Sequence, residues 1–311
     1  MTVDIGLPLY NEERNIGRLL MNLLSQPLPP NFILNSIIVV SSSTDKTDEI
    51  VRDFGKLDSR IKLIREKERK GKSAGLKFLL REAKSDIIII SSGDIFPARD
   101  TISKMLLPFR DESIGYVAGR PIPVDGRDTF WGFAGHFIWD LQSYFADRER
   151  GKLAGELNAF RNWIVTEIPD NIINDDLYLQ FAIEQQGYKS IYVSDALIFT
   201  QSPKGLKDYI RQRRRVRLGH LQLKKELDLD IATANPFKAL KLIFLESIWT
   251  LGILFIEGIA HISAHIDLKL GRIPNSGWQM AHTTKTISDA DLLLLKAKYH
   301  ELISIDRPPE P

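Results

Sequence analysis

The stretch Ser85-Asp86-Ile87-Ile88-Ile89-Ile90-Ser91-Ser92-Gly93-Asp94-Ile95-Phe96-Pro97 decides the fold. A short β-branched run followed by turn residues reads as a parallel strand buried on both faces. Ligands of open α/β sheets sit at the carboxyl ends of such strands. Asp94 stands at that end, beside a glycine that lets a ligand approach closely. A carboxylate so placed suits a divalent cation on a phosphate. The other reading of Asp94 is a cap for a helix starting near Pro97.

Outward from this strand, elements alternate. Val3–Leu7, Ile37–Val40 and Ile61–Ile64 read as strands. Asn11–Leu24, Asp45 to about Phe54, and Gly71–Ala83 read as helices between them. This alternation predicts an α/β fold with a mostly parallel sheet and helices on both faces. A helix over Asp176–Gln186 and a strand over Ser190–Val193 resume the pattern later. Ahead of these two lies an aromatic segment, Thr129 to Phe145, with Phe130, Trp131, Phe133, Phe137, Trp139, Tyr144 and Phe145. It reads as a helix packed on the sheet, or as an aromatic wall for an acceptor or membrane, with Trp131 as the acceptor-side candidate.

The 311 residues are 43% hydrophobic with net charge +2, enough for a substantial core and without the basic field that nucleic acid would need. There is no cysteine, so disulfides and thiolate metal sites are excluded. The start Met1-Thr2-Val3-Asp4-Ile5 lacks the features of a signal peptide, and the body is expected to be cytosolic.

Leu242–Ile266 is long and apolar, with Glu246, Thr250, Glu257, His261 and His265 on one helical stripe. Insertion energetics leave its fate open. Thirteen Leu, Ile and Phe residues contribute about −6.5 kcal/mol, and two acids at about +2.5 to +3.5 each nearly cancel it. A membrane span, a helix lying in the interface and a core helix all remain readings. The cluster Arg211, Arg213, Arg214, Arg215 and Arg217, with Lys224 and Lys225 behind it, would suit anionic head groups.

Several matches fail. Gly71-Lys72-Ser73 is no P-loop, because Glu66 stands where that motif needs glycine. His261 and His265 have Ile262 where a zinc protease needs Glu. Gly6 opens no dinucleotide fingerprint. Strand one runs instead into Pro8-Leu9-Tyr10-Asn11-Glu12-Glu13. Strand two leads into Ser41-Ser42-Ser43-Thr44-Asp45-Lys46-Thr47, and Lys70-Gly71-Lys72-Ser73-Ala74-Gly75-Leu76 opens the third helix. Later come Gly155-Glu156-Leu157-Asn158-Ala159-Phe160-Arg161, Asn174-Asp175-Asp176-Leu177 and Gln212-Arg213-Arg214-Arg215-Val216.

These motifs together resemble the family 2 glycosyltransferases of the GT-A fold, over about residues 3–222. The resemblance implies a nucleotide pocket lined by Pro8, Tyr10, Asn11 and Glu12, with Ser41 and Ser42 where the family carries acids that contact the base. It implies Lys72 and Gly93 on the donor, and Asp94 as ligand of Mg2+ or Mn2+, where Ser92-Gly93-Asp94 replaces Asp-x-Asp. His220 is a second metal candidate, or a structural histidine. Gly155 and Glu156 would face the acceptor. Of the pair Asp175 and Asp176, the second would be the general base. Gln212 and Arg215 match a Gln-x-x-Arg-Trp motif of membrane-linked members, with Val216 in place of Trp; they would hold the diphosphate, for which the arginine fork is suited.

The implied organisation is a GT-A domain over 1–235, split into a nucleotide-sugar part (1–120) and an acceptor and catalytic part (121–235). An amphipathic or membrane-associated helix over 236–266 and a tail over 267–311 returning to the domain complete it. The implied function is inverting, metal-dependent transfer from a UDP- or GDP-sugar to a lipid or glycan acceptor, at the cytoplasmic face of a membrane. The rivals are a sugar-nucleotide-binding protein without turnover, favoured by the serines at 41, 42 and 92, and a nucleotidyltransferase.

Overall fold

The computed structural model describes residues 1–148, 153, 155–170, 172–227, 248–272 and 287. The expectations for residues 236–247, and for the tail beyond 272 apart from Ile287, lie outside the described residues. The first half of the chain is β1 (Thr2–Leu9), α1 (Ile16–Ser25), β2 (Ile33–Ser41), α2 (Thr47–Leu57), β3 (Ile61–Arg65), α3 (Lys72–Glu82) and β4 (Ile87–Ser91). Its strands are parallel in the order β3-β2-β1-β4. The second half adds β5 (Ile95–Pro97), α4 (Thr101–Leu106), β6 (Ile114–Pro123), α5 (Phe130–Arg148), β7 (Leu157–Arg161), α6 (Asp175–Gln185), β8 (Lys189–Thr200), α7 (Leu206–Leu227) and α8 (Ile248–Lys269). One eight-stranded sheet results, β3-β2-β1-β4-β7-β6-β8-β5. In it β7 runs antiparallel between β4 and β6, β6 and β8 are parallel, and β5 is antiparallel to β8.

The isoleucine run explains itself in this sheet. Ile87 and Ile89 enter the core formed with Leu19, Leu20 and Leu23 of α1 and Met105 of α4. Ile88 and Ile90 enter the opposite core, with Leu76 and Leu79 of α3 and Ile183 of α6. Each such burial is worth about 1.5–3 kcal/mol, so Ile87–Ile90 are apolar at every position and the alternation of a half-exposed strand is absent. On β1, Gly6 lets α3 lie close: a Cβ there would overlap the Leu79 side chain.

Four boundaries differ from those the sequence predicts. Helix α1 starts at Ile16, not Asn11, because Asn11 adopts φ 54° and the chain turns through it. The Asn11 amide donates to Ser43 Oγ at 2.9 Å and the Glu12 amide to Thr47 Oγ1 at 2.8 Å, tying this turn to the end of β2. No helix starts at Pro97, because Ile95–Pro97 pairs with β8 and α4 begins at Thr101. Asp94 therefore lies between two strands and caps no helix. Strand β8 runs far beyond Val193; its partner steps from Gly119 opposite Val193 to Arg120 opposite Leu197, so Ser194, Asp195 and Ala196 form a bulge that hides the continuation. Helix α8 extends past 266 to Lys269. Beyond it, Ile287 packs with Phe96, Ala98 and Phe199, and its carbonyl accepts from Arg18 Nη2 at 2.9 Å.

Asp4 pins this scaffold from inside β1. It is 1% exposed and accepts from Ser36 Oγ at 2.6 Å, Asn35 Nδ2 at 2.9 Å, the Lys84 amide at 2.9 Å and the Ser85 amide at 3.0 Å. Burial works against its charge, yet the bonds from Ser36, Asn35, Ser85 and Lys84 outweigh it and hold the carboxyl below its ordinary 3.8. The stability it contributes is therefore full above pH 3.8 and is lost as pH falls through the depressed folded value. Asp4→Asn, which sets an amide against these donors, should cost about 3 kcal/mol in urea unfolding at neutral pH. The variant should also lose the part of the acid dependence that Asp4 carries; an unchanged stability-against-pH curve would remove the role assigned to it.

Candidate active site

At the carboxyl end of β4 lies a cavity of about 500 Å³. Its floor takes Ser92 and Asp94 from the β4–β5 turn and Gly155 and Glu156 from the approach to β7. Lys72 enters from the start of α3, and Asn174, Asp175 and Asp176 from the start of α6. One wall is α7, through Gln212, Arg213, Arg215, Val216, Arg217 and His220. The roof is apolar: Phe137, Trp139 and Phe145 of α5, and Leu254 of α8, beside Glu257, Gly258 and His261.

Each polar group is fixed by its element. Gly71 precedes Lys72 at φ 94°, a backbone state that favours glycine, and this starts α3 with Lys72 directed into the cavity. A lysine at a helix N-terminus opposes the helix dipole. The opposing anion is Asp175, whose Oδ2 lies 2.8 Å from Lys72 Nζ. Burial pulls the Lys72 ammonium toward deprotonation, but Asp175 and then Asp176 outweigh it and hold its pKa above the ordinary lysine range. Both acids sit in the first turn of α6, where the dipole favours them. The turn is locked from two sides by glycines. A Cβ on Gly155 would overlap the Asp176 carboxylate, and one on Gly219 of α7 would overlap the Asn174 side chain. Asn174 does not cap its helix but donates from Nδ2 to the Val216 carbonyl at 3.2 Å. Beneath, burial and then the charges of Asp176, Asp175 and Glu156 keep the Tyr116 phenol protonated far above its usual range.

The arginines of α7 divide. Arg215 faces the cavity and is close enough to Lys72 to oppose its charge. Arg213 and Arg217, which the sequence presents as surface charge, are largely buried on Glu257 of α8, at 2.5 and 3.4 Å. Tyr209 Oη donates to the same carboxylate at 3.1 Å. Burial opposes the Glu257 charge, but Arg213 and Arg217 outweigh it and lower its pKa. Arg214 pairs with Asp267.

Of the candidates read from sequence, Lys72, Asp94, Gly155, Glu156, Asp175, Asp176, Gln212, Arg215 and His220 share this cavity. Pro8, Tyr10, Asn11, Glu12, Ser41, Ser42 and Gly93 are not among its lining residues; they sit at the adjoining ends of β1, β2 and β4. Gly93 packs on Leu9 and Glu12, where a Cβ would come within 2.6 and 2.8 Å. Ser41 is fully buried and donates to Asp48 Oδ1 at 2.5 Å, so its hydroxyl serves the framework. Ser42 bonds to Glu66, whose carboxyl is raised by burial against the pull of that bond and of Lys70. Arg69 lies 3.7 Å over the Tyr10 ring. Trp131 packs on Phe130 and Tyr209, with ring centroids 4.9 and 5.7 Å away, outside the cavity lining. The aromatic face of α5 toward the cavity is Phe137, Trp139 and Phe145 instead. Sequence reasoning assigned no role to Glu66, Arg69 or Tyr209, read Glu257 as a member of a polar stripe, and read His261 as a member of that stripe and as half of a rejected zinc pair; the signal of the first three was charge and aromaticity beside recognised motifs.

Among the described residues, no group of three or more His, Asp or Glu gathers as a cation cage. Asp94, with His220 in the same cavity, suits a cation that shares its ligands with a phosphate. Mg2+ is commonly held so, by one or two carboxylates plus substrate oxygens.

The glycosyl transferase family 2 profile matches residues 4–168, and the profile of glycosyl transferase family group 2 matches 109–271. An N-acetylglucosaminyltransferase of Rhizobium meliloti is 26% identical over 235 residues, covering 68% of this chain and 54% of the relative. A beta-monoglucosyldiacylglycerol synthase of Nostoc is 27% identical over 192 residues, covering 58% of this chain and 41% of the relative. The chain thus spans about half the length of these curated relatives. A mannosyltransferase from Pyrobaculum calidifontis, solved with GDP-Man and Mn2+, superposes with TM-score 0.59 at 24% identity, covering 96% of this chain and 79% of that one. Glucosyl-3-phosphoglycerate synthase from Mycobacterium tuberculosis, solved with Mn2+, UDP and phosphoglyceric acid, gives 0.52 at 17%, covering 72% and 78%. These likenesses identify the fold as GT-A. With more than half of its residues matched by the family profile, the chain belongs to glycosyl transferase family 2.

Proposed function

We propose that the protein transfers a hexosyl group, with inversion, from a UDP- or GDP-sugar to a lipid or lipid-linked acceptor at the cytoplasmic face of a membrane. One observation carries this reading: Lys72, Asp94, Asp175, Asp176, Gln212 and Arg215, drawn from four separate parts of the chain, meet around one cavity with an apolar roof. The donor base and ribose rest on Pro8, Tyr10, Asn11 and Glu12, and the diphosphate reaches the cavity over Gly93. Asp94 would hold a Mg2+ or Mn2+ ion, which would supply positive charge to the leaving diphosphate. Arg215 and Gln212 bind the diphosphate from α7.

Asp176 accepts the proton of the acceptor hydroxyl as that oxygen forms its bond to the anomeric carbon. The bond from that carbon to the diphosphate oxygen breaks, and the nucleoside diphosphate leaves with the electron pair. Attack from the face opposite the leaving group inverts the centre. Lys72 holds Asp175 in place beside the base, through the 2.8 Å ion pair between them. Phe137, Trp139 and Phe145 give the acceptor an apolar bed, which suits a lipid more than a free sugar. The glucosyldiacylglycerol synthase relative and the apolar helix α8, with mean hydropathy 1.4 over its best window, support the same acceptor class.

Calorimetry of UDP-glucose and GDP-mannose with Mn2+ and with chelator tests the donor site. One donor should bind in a metal-dependent way, and Asp94→Ala should weaken that binding at least about tenfold, or 1.4 kcal/mol. Equal affinity with and without chelator would remove the metal role of Asp94. Asp176→Asn should keep donor affinity and lower transfer to diacylglycerol or another hydroxyl lipid by about 10²–10⁴; retained turnover would exclude it as the base. A protein that binds donor without turning over would show no metal-dependent donor hydrolysis even in the wild type.

A further inference from the structure

Helix α8 carries two opposite faces. One is bound to the domain: Glu257 to Arg213, Arg217 and Tyr209, Asp267 to Arg214, and Ala264 and Leu268 against Leu218 and Ile173. The other carries Leu251, Phe255, Ile259, Ile262 and Ile266, with Leu270 just beyond the helix, each at least 40% exposed. At about 100° per residue these six fall within an arc of about 100°, opposite the bound acids. So long a stripe of large apolar groups is an interaction surface.

We propose that α8 lies flat in the bilayer interface, this stripe among the acyl chains, and does not cross the membrane. Length does not decide between the two: 22 residues reach about 33 Å, enough to span. The partners decide. The contacts Tyr209–Glu257 and Arg214–Asp267, and the cluster that Leu218 and Leu221 share with Ala264 and Leu268, advance together, so α7 runs parallel to α8 along most of its length. A spanning α8 would either carry the arginines of α7 into hydrocarbon or leave Glu257 and Asp267 there unpaired, at about 2.5–3.5 kcal/mol each. Leaving would also strip the wall formed by Leu254, Glu257, Gly258 and His261 from the cavity.

Charge favours lipid as the occupant of the stripe. Lys224 and Lys225 at the end of α7 and Lys269 and Arg272 at the end of α8 are all exposed, with Glu226 the acid beside them. A cationic end next to an apolar stripe fits anionic head groups over acyl chains. The cavity then opens a helix diameter, about 10 Å, from the lipid. This placement of α8 rests on the membrane reading above.

The chain has no cysteine, so single spin labels are clean probes. Leu251→Cys, Ile262→Cys and Leu270→Cys would be labelled in the full chain and their depth read from oxygen and nickel-chelate accessibility. The probes are vesicles of phosphatidylcholine, with and without phosphatidylglycerol. In-plane binding predicts one shallow depth for all three, with stronger binding to the anionic vesicles. A spanning helix would separate Leu251 from Ile262 by about 16 Å in depth, and that gradient would overturn the proposal. Labels that stay aqueous would overturn it too, as would labels already immobile without lipid, the mark of a second copy covering the stripe. In flotation, Phe255→Asp combined with Ile262→Asp should lower vesicle binding at least tenfold with donor affinity unchanged; undiminished flotation counts against it. Donor binding and hydrolysis, read without vesicles, test the transferase reading separately.

Discussion

The bridge between Lys72 and Asp175 joins the two halves of the molecule where chemistry has to be aligned. Lys72 belongs to the β1–β4 part, at the start of α3; Asp175 belongs to the part from β5 onward, at the start of α6. A buried ion pair of this kind gives little net stability, because desolvation of both partners offsets their attraction. What it gives is registration. With Asp175 7% exposed at its side chain and Lys72 33%, neither half can shift without leaving a charge unpaired in a low-dielectric site. The glycines at 155 and 219 have the same effect by sterics, since any side chain there would displace Asp176 or Asn174. The position of the acid pair is thus overdetermined, by one electrostatic contact and two close approaches.

Much of the fold was legible because one physical demand dominated it. A strand covered on both faces has no freedom in composition, and Ile87–Ile90 states that demand openly. The elements that escaped did so where local polarity conceals long-range pairing. Ser194 and Asp195 break the apolar pattern of β8 although the strand resumes after them. Ile95–Pro97 is too short to announce itself, yet it sets Asp94 between two strands. Asn11 takes a left-handed turn that no periodicity reports, and so delays α1 to Ile16.

The site was legible where a residue serves chemistry and illegible where it serves another residue. Lys72, Asp94, Asp176 and Arg215 were visible because each stands in a recognisable motif, and the fold brings all four to one cavity. Arg213 and Arg217 carry no mark that separates them from surface charge. Their partner Glu257 lies 44 and 40 residues away, on a helix whose docking only the fold reveals. Trp131 and Trp139 are equally aromatic, and only the rotation of α5 decides which one meets the cavity. Ser41, read as a group facing the base, turns inward to Asp48, while Glu66 at the end of β3 brings a carboxyl to Ser42 from a different strand.

The arginine cluster of α7 thereby acquires a division of labour. Residues 213, 214 and 217 hold the acids of α8, and Arg215 between them faces the cavity. A helix that presents three cations to one neighbour cannot rotate to withdraw the fourth, because a turn large enough to move Arg215 would unpair Glu257 and Asp267 together. The orientation of Arg215 is thus set by the salt bridges that its neighbours on the same helix make to α8. The same salt bridges fix which face of α8 remains exposed. The roof of the cavity and the exposed apolar stripe are therefore two consequences of one set of ion pairs, carried on opposite faces of a single helix.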